Sequence, residues 1–252
     1  MDRRFEGRRA LITGAARGIG LATATRLAAE GARVALVDVD ADAMSVAADA
    51  VGGDVLQLEA DVADEPSVAR AFAAASEAWG GLDVVVVDAA TQLVGRDDRA
   101  DRLDLDVWRR TVDVNLTGAF LTIKHGARAL LAAGGGAIVC VGSPAGHYGI
   151  AAGLDAYSAT KAGVSGLVRV TAIDYAREGI RVNGVLPGIT ETPMNDWWLD
   201  DPAARAEMSA QIPVGRPARA EEIAAVIAFL ASDDAGYVTG ALWAADGGLT
   251  AR

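Results

Sequence analysis

Tyr157 and Lys161 stand four positions apart, a spacing that places a phenol and an amine on one face of a helix. A free tyrosine titrates near ~10, too high for ready proton exchange at neutral pH. A nearby ammonium favours the phenolate and lowers that value. Such a pair suits proton transfer to or from an alcohol or carbonyl oxygen. Upstream lie Ser143, a hydroxyl donor, and the glycine-rich run Thr13-Gly14-Ala15-Ala16-Arg17-Gly18-Ile19-Gly20.

These groups need elements to bring them together. Ala10-Leu11-Ile12, before the glycine run, reads as a buried strand, and Leu21, Ala24, Leu27 and Ala28 after it recur at helical spacing. The glycines therefore fall at a strand-to-helix turn, the context of a dinucleotide fingerprint. Gly14 permits the tight turn, Gly18 lets backbone approach a pyrophosphate, and Gly20 lets the helix pack on the sheet. The N–H groups at the helix start, Ile19 among them, face the phosphates. No Lys-Ser/Thr follows Gly20, so a nucleoside-triphosphate P-loop is not supported.

A second strand, Arg33 to Val37, ends at Asp38, eighteen residues after Gly20. A carboxylate at that spacing accepts from the adenosine ribose hydroxyls and repels a 2′-phosphate, so NAD is expected rather than NADP. Arg17, in the glycine turn, is the residue that could instead hold a 2′-phosphate.

Strands are expected near Ala10, Arg33, Val55, Asp83, Ala137, Arg181 and Leu242, and helices near 18–30, 41–50, 65–79, 104–132, 157–178 and 220–231. This alternation predicts an α/β fold, a Rossmann-like doubly wound parallel seven-stranded sheet with helices on both faces. Residues 1–252 are read as one dinucleotide-binding and catalytic domain. The irregular stretch at about 193–215 is read as a substrate lid, with Met194, Trp197 and Trp198 as an apolar wall. His147 and Tyr148 follow Ser143 closely and are expected to face the substrate.

Composition restricts the function classes. The chain has 252 residues, is 52% hydrophobic and carries a formal charge of −11. No apolar run approaches the roughly 18 residues of a membrane span, and the start has no charged-then-apolar leader, so a cytoplasmic location is expected. No basic patch suggests nucleic acid. His125 and His147 are too far apart for a metal site, and the single Cys140, in an apolar strand, makes no internal disulfide.

In order and spacing these motifs resemble the short-chain dehydrogenase/reductase family, from about Arg8 to Gly248. The resemblance implies a catalytic tetrad of Asn115, Ser143, Tyr157 and Lys161. Tyr157 would be the general acid/base, Lys161 would lower its pKa and hold the nicotinamide ribose, and Ser143 would bond the substrate oxygen. Asn115 would position water in a proton relay. Asp61 and Val62 would contact the adenine, and Ala89 and Ala90 would pass under the adenosine. Pro187 and Gly188 would close over the nicotinamide, and Thr190 and Thr192 would hold its carboxamide. Asp246-Gly247-Gly248 matches the family's C-terminal signature. In relatives the long helices around the positions of Asn115 and Tyr157 pair across a two-fold axis, so the resemblance implies a homotetramer, with Val164, Leu167, Val168, Thr171 and Ala172 as a partner-facing stripe.

One segment departs from the pattern: Val87-Asp88-Ala89-Ala90 stands where the family has Asn-Asn-Ala-Gly. An ionised Asp88 cannot donate as an amide does, and Ala90 adds a methyl near the ligand. The leading expectation is an NAD-dependent oxidoreductase interconverting a secondary alcohol and a ketone. The alternatives are an NADP(H)-dependent ketoreductase of a biosynthetic or 3-oxoacyl intermediate, and a non-catalytic dinucleotide-binding regulator or scaffold.

Overall fold

A computed structural model describes residues 3–251. The chain runs β1 (Arg9–Thr13), α1 (Gly18–Ala29), β2 (Arg33–Asp38), α2 (Ala41–Val51), β3 (Val55–Glu59), α3 (Glu65–Trp79) and β4 (Val84–Val87). It continues through α4 (Leu105–Val112), α5 (Gly118–Ala133), β5 (Gly136–Val141), α6 (Asp155–Tyr175) and β6 (Ile180–Pro187). The last elements are β7 (Thr190–Glu191), α7 (Asp196–Leu199), α8 (Pro202–Ala210), β8 (Ala218–Arg219), α9 (Ala220–Ala231) and β9 (Leu242–Ala245).

Seven strands form one parallel sheet in the order β3-β2-β1-β4-β5-β6-β9. The short β7 and β8 pair separately. Successive strand residues serve opposite faces. Leu11 packs with Phe72, Leu121, Leu130 and Val168 on the face covered by α3, α5 and α6. Ile12, its neighbour, packs with Leu27, Met44 and Ile227 on the face covered by α1, α2 and α9. Burial on both faces explains why β4 is four consecutive valines.

The strand order reverses between β1 and β4, with Thr13 opposite Val87. At such a switch point the loops leaving the two strands diverge and open a crevice at their carboxyl ends. The glycine turn and the Val87–Ala90 segment therefore emerge side by side.

Three expectations change. The helix expected over 104–132 is two, α4 and α5, joined by a π-helical turn at Asp113–Thr117 that contains Asn115. The segment 193–215 holds α7 and α8, which its mixed composition concealed. The stripe expected to face a partner is core: Val164, Val168, Thr171 and Ala172 are buried within the chain, and Leu167 packs against them. Helical periodicity marks a buried face without saying which neighbour buries it. The outward side of α6 instead exposes Val170 and Ile173.

Candidate active site

The glycine turn is held to the sheet by Gly14, whose N–H donates to Val37 O at 2.8 Å. Gly14 and Gly18 adopt positive φ of 71° and 58°, which side-chain-bearing residues avoid. A Cβ at Gly20 would lie 2.2 Å from Gly14 O, and one at Gly14 would lie 2.8 Å from Ala89 backbone. A methyl at either position would fill the cradle. The cap residue Arg17 makes no side-chain capping bond, so it leaves the start of α1 free to meet a phosphate. The turn thus fits a dinucleotide.

Asp38 ends β2 beside this cradle. Its carboxylate accepts from Ala16 N at 3.1 Å and Asp40 N at 3.2 Å, which aims it at the turn. Arg17 is engaged elsewhere, in an ion pair with Asp40. Across the cleft Thr192 lies 3.4 Å from the position a Gly18 Cβ would take. Thr190 is buried and donates to Gly188 O at 2.9 Å. Gly188 packs on Asp246, so Pro187 and Gly188 rest on the C-terminal signature. Val62 is buried against Gly118 at the head of α5, and Asp61 accepts from Ala63 N at 2.9 Å. Ala89 lies on Gly14, its N–H shared with that of Asp88 on Thr13 Oγ1, and Ala90 is half-buried just beyond.

Tyr157 and Lys161 share one face of α6, with Lys161 Nζ 5.6 Å from the Tyr157 ring centroid. Lys161 is buried and donates to Val141 O at 2.9 Å, which ties the helix to the end of β5. The turn after β5 carries Ser143, also buried, whose Oγ accepts from Ala145 N at 3.2 Å. Three residues on, a Cβ at Gly146 would stand 2.6 Å from the backbone of Lys161 and Ala162. That backbone contact holds the turn carrying Ser143 against α6 at Lys161. Asn115 is a brace: Oδ1 accepts from Thr91 N at 2.7 Å, and Nδ2 donates to Thr91 O at 2.8 Å and Thr160 Oγ1 at 3.3 Å. Thr160 in turn donates to Tyr157 O at 2.8 Å.

Sequence reasoning passed over Asp97. Its two carboxylate oxygens accept from Ala156 N at 3.1 Å and Tyr157 N at 2.9 Å. Residue Leu154, at the helix's own cap position, supplies no such acceptor. A cap from a distant loop leaves no local signature of the kind a Ser or Asp at the cap position would.

The expected substrate residues separate. His147 turns to α6, its Nε2 2.8 Å from Ser165 Oγ. Tyr148 is exposed, Met194 half-buried and Trp197 exposed, whereas Trp198 is 1% exposed with no partner for its Nε1. The two tryptophans therefore do not share a wall. Among the described residues no cluster could hold a metal ion, and His125 pairs with Glu65 at 3.2 Å.

A family model described as Enoyl-(Acyl carrier protein) reductase matches residues 14–250. The chain is 46% identical over 255 aligned positions to cis-4-hydroxycyclohexanecarboxylate dehydrogenase of Sinomonas cyclohexanicum, with both chains fully covered. The chain belongs to the short-chain dehydrogenase/reductase family. Cyclohexanol dehydrogenase of an Acinetobacter species, strain SE19, is 38% identical, over 100% of this chain and 98% of that one. The crystal structure of levodione reductase superposes with a TM-score of 0.92 at 37% identity, covering 98% and 99% of the two chains. Like these short-chain dehydrogenase/reductases, the chain is an NAD(P)-dependent dehydrogenase acting on CH–OH groups.

Proposed function

We propose that the protein uses NAD to interconvert a ring-bearing secondary alcohol and its ketone, with Tyr157 as general acid/base. The Tyr157–Lys161 pair on one helix face, with the Ser143 turn locked against its backbone, carries this reading. In the oxidation direction Tyr157 takes the hydroxyl proton of the substrate, and in reduction it returns it. Ser143 donates to the same oxygen as charge develops there. Lys161 stabilises the phenolate and holds the nicotinamide ribose. Asn115 keeps Thr91 and α6 in register, so the proton path from Lys161 to solvent stays aligned. Bound nicotinamide supplies the hydride acceptor or donor.

Asp38 favours NAD, because its carboxylate is fixed at the turn while Arg17 is spent on Asp40. Gly14, Gly18, Ile19 and Gly20 would hold the phosphates, and Asp61, Val62, Ala89 and Ala90 the adenosine side. Pro187, Gly188, Thr190 and Thr192 would enclose the nicotinamide. The substrate class follows the ring alcohols named for the two dehydrogenase relatives, and residues 193–215 serve as the lid. Titration with NADH and NADPH, followed by nicotinamide fluorescence, tests the reading. NADH should bind more tightly, Asp38→Ala should narrow the difference, and cyclohexanol or 4-hydroxycyclohexanecarboxylate should reduce NAD. Tighter NADPH binding would move selection to Arg17.

We also propose a homotetramer, supported by the apolar side chains that α5, α6 and β9 leave exposed: Phe120, Leu131, Val170, Ile173 and Trp243. Light scattering at micromolar concentration should give four times the monomer mass; a monomer would refute it.

A further inference from the structure

Asp88 is an acid beside the turn where a dinucleotide's phosphates would sit. It leaves β4 at the switch point with its backbone N–H on Thr13 Oγ1 at 3.3 Å. Its carboxyl lies under the first turn of α1, where the Gly20 N–H faces it. One carboxyl oxygen stands 2.9 Å from the place a Gly20 Cβ would occupy. Gly20, which has no room for a side chain, thus lets the Asp88 carboxyl approach α1.

The charged and titratable neighbours of Asp88 do little to neutralise it. From β2, Asp38 adds like charge and opposes ionisation. From the glycine turn, Arg17 is paired to Asp40. From β5, Cys140 stays a neutral thiol, pushed up to about 12 by burial. From α6, Lys161 favours the ionised carboxyl, yet its Nζ is bonded to Val141 O and no ion pair joins the two. Tyr157 lies beyond Lys161 on the same helix face. Asp88 is half-buried, but the loss of water around its carboxyl under α1 outweighs the rest and raises it to about 7. A dinucleotide adds phosphate charge at the α1 N-terminus. Like charges on adjacent, poorly solvated segments disfavour one another, and an acid that can take a proton relieves the conflict by doing so.

We propose that the dinucleotide binds the protonated form of Asp88, so that cofactor uptake by this chain draws a proton from solvent. The proposal rests on the cofactor reading above and adds a condition to it. The proton comes from water or buffer and resides on the carboxyl while the cofactor is bound; no covalent step is involved.

NADH binding to the wild-type protein and to Asp88→Asn, measured by calorimetry near pH 7 in buffers of different ionisation enthalpy, tests it. Wild type should take up a substantial fraction of one proton on binding, and the Asn variant none. By fluorescence titration, the wild-type Kd should weaken by about tenfold from pH 6 to pH 8, the change expected one unit above the pKa. The Asp88→Asn Kd should stay flat and be the tighter of the two at pH 8. Equal proton uptake in both proteins, or parallel pH dependence, would assign the proton to another group and overturn the proposal. So would zero uptake in wild type, whatever the variant does, and Asp88→Ser repeats the comparison should the amide misfold. Failure of both proteins to bind NADH or NADPH at every pH would instead remove the cofactor reading, and the proposal with it.

Discussion

The carboxylate of Asp97 accepts the backbone N–H of Tyr157 at 2.9 Å from a position 60 residues away in the chain. With Ala156 N on its other oxygen, it satisfies two of the donors that a helix start leaves open. An acid there also complements the positive end of the helix. Asp97→Ala should lower stability by about 1 kcal/mol, the usual cost of a lost cap. It should lower kcat more than it raises the cofactor Kd, because it frees the turn that carries Tyr157. Asp97→Asn, which retains one acceptor, should recover part of the loss in steady-state assays.

Tyr157→Phe removes the exchangeable proton and nothing else of size. Alcohol turnover should fall to background while NADH fluorescence titrations stay within about twofold of wild type. Substantial residual activity would mean that another group moves the proton.

The pH dependence of stability should carry the mark of Asp88. Its folded pKa, about 7, lies above the ordinary 3.8. Between these values the folded chain holds a proton that the unfolded chain has lost, so this group's contribution to stability falls as pH rises through the window. The deficit is complete above about pH 7. Each unit corresponds to up to about 1.4 kcal/mol; with Asp88 only half-buried, roughly 2 kcal/mol in total is expected. Asp88→Asn should therefore be more stable than wild type at pH 8 and no more stable at pH 4, by urea denaturation of the cofactor-free protein.

Trp197 and Trp198 should respond differently to truncation. Trp198 is fully buried, so Trp198→Ala should cost about 3–5 kcal/mol. Its indole N–H has no partner, and Trp198→Phe removes that unmet donor and should cost far less. Trp197 is 60% exposed. Trp197→Ala should leave the melting temperature nearly unchanged and act, if the lid closes on substrate, through KM for the alcohol.

Much of this architecture was legible in the chain. Period and punctuation located all seven strands of the main sheet, because buried parallel strands such as Val84–Val87 are uninterrupted apolar runs. The glycine turn announced itself by backbone demands that no other residue meets at Gly14, Gly18 and Gly20. Contacts between distant segments were not legible. The Asp97 cap, the brace from Asn115 to Thr91 and Thr160, and the turn of His147 toward Ser165 depend on how loops fold over α6. The π-helical turn at Asp113–Thr117 was also hidden, since its residues suit an ordinary helix equally well. The adjacent tryptophans share a composition but point apart, because neighbours on a helix are about 100° from one another.

Gly146 and Gly163 press backbone against neighbour so closely that a methyl at either would lie 2.6 to 2.7 Å from Ala162 N and the Leu116 side chain. Residues 193–215 join the body differently, through side chains: the buried Trp198, the Glu191–Arg205 pair and the Asn195 amide on Thr190 O. Apart from the buried Trp198, substitutions within 193–215 should therefore be tolerated more readily than any at Gly146, where the frame carrying Tyr157 and Lys161 meets backbone.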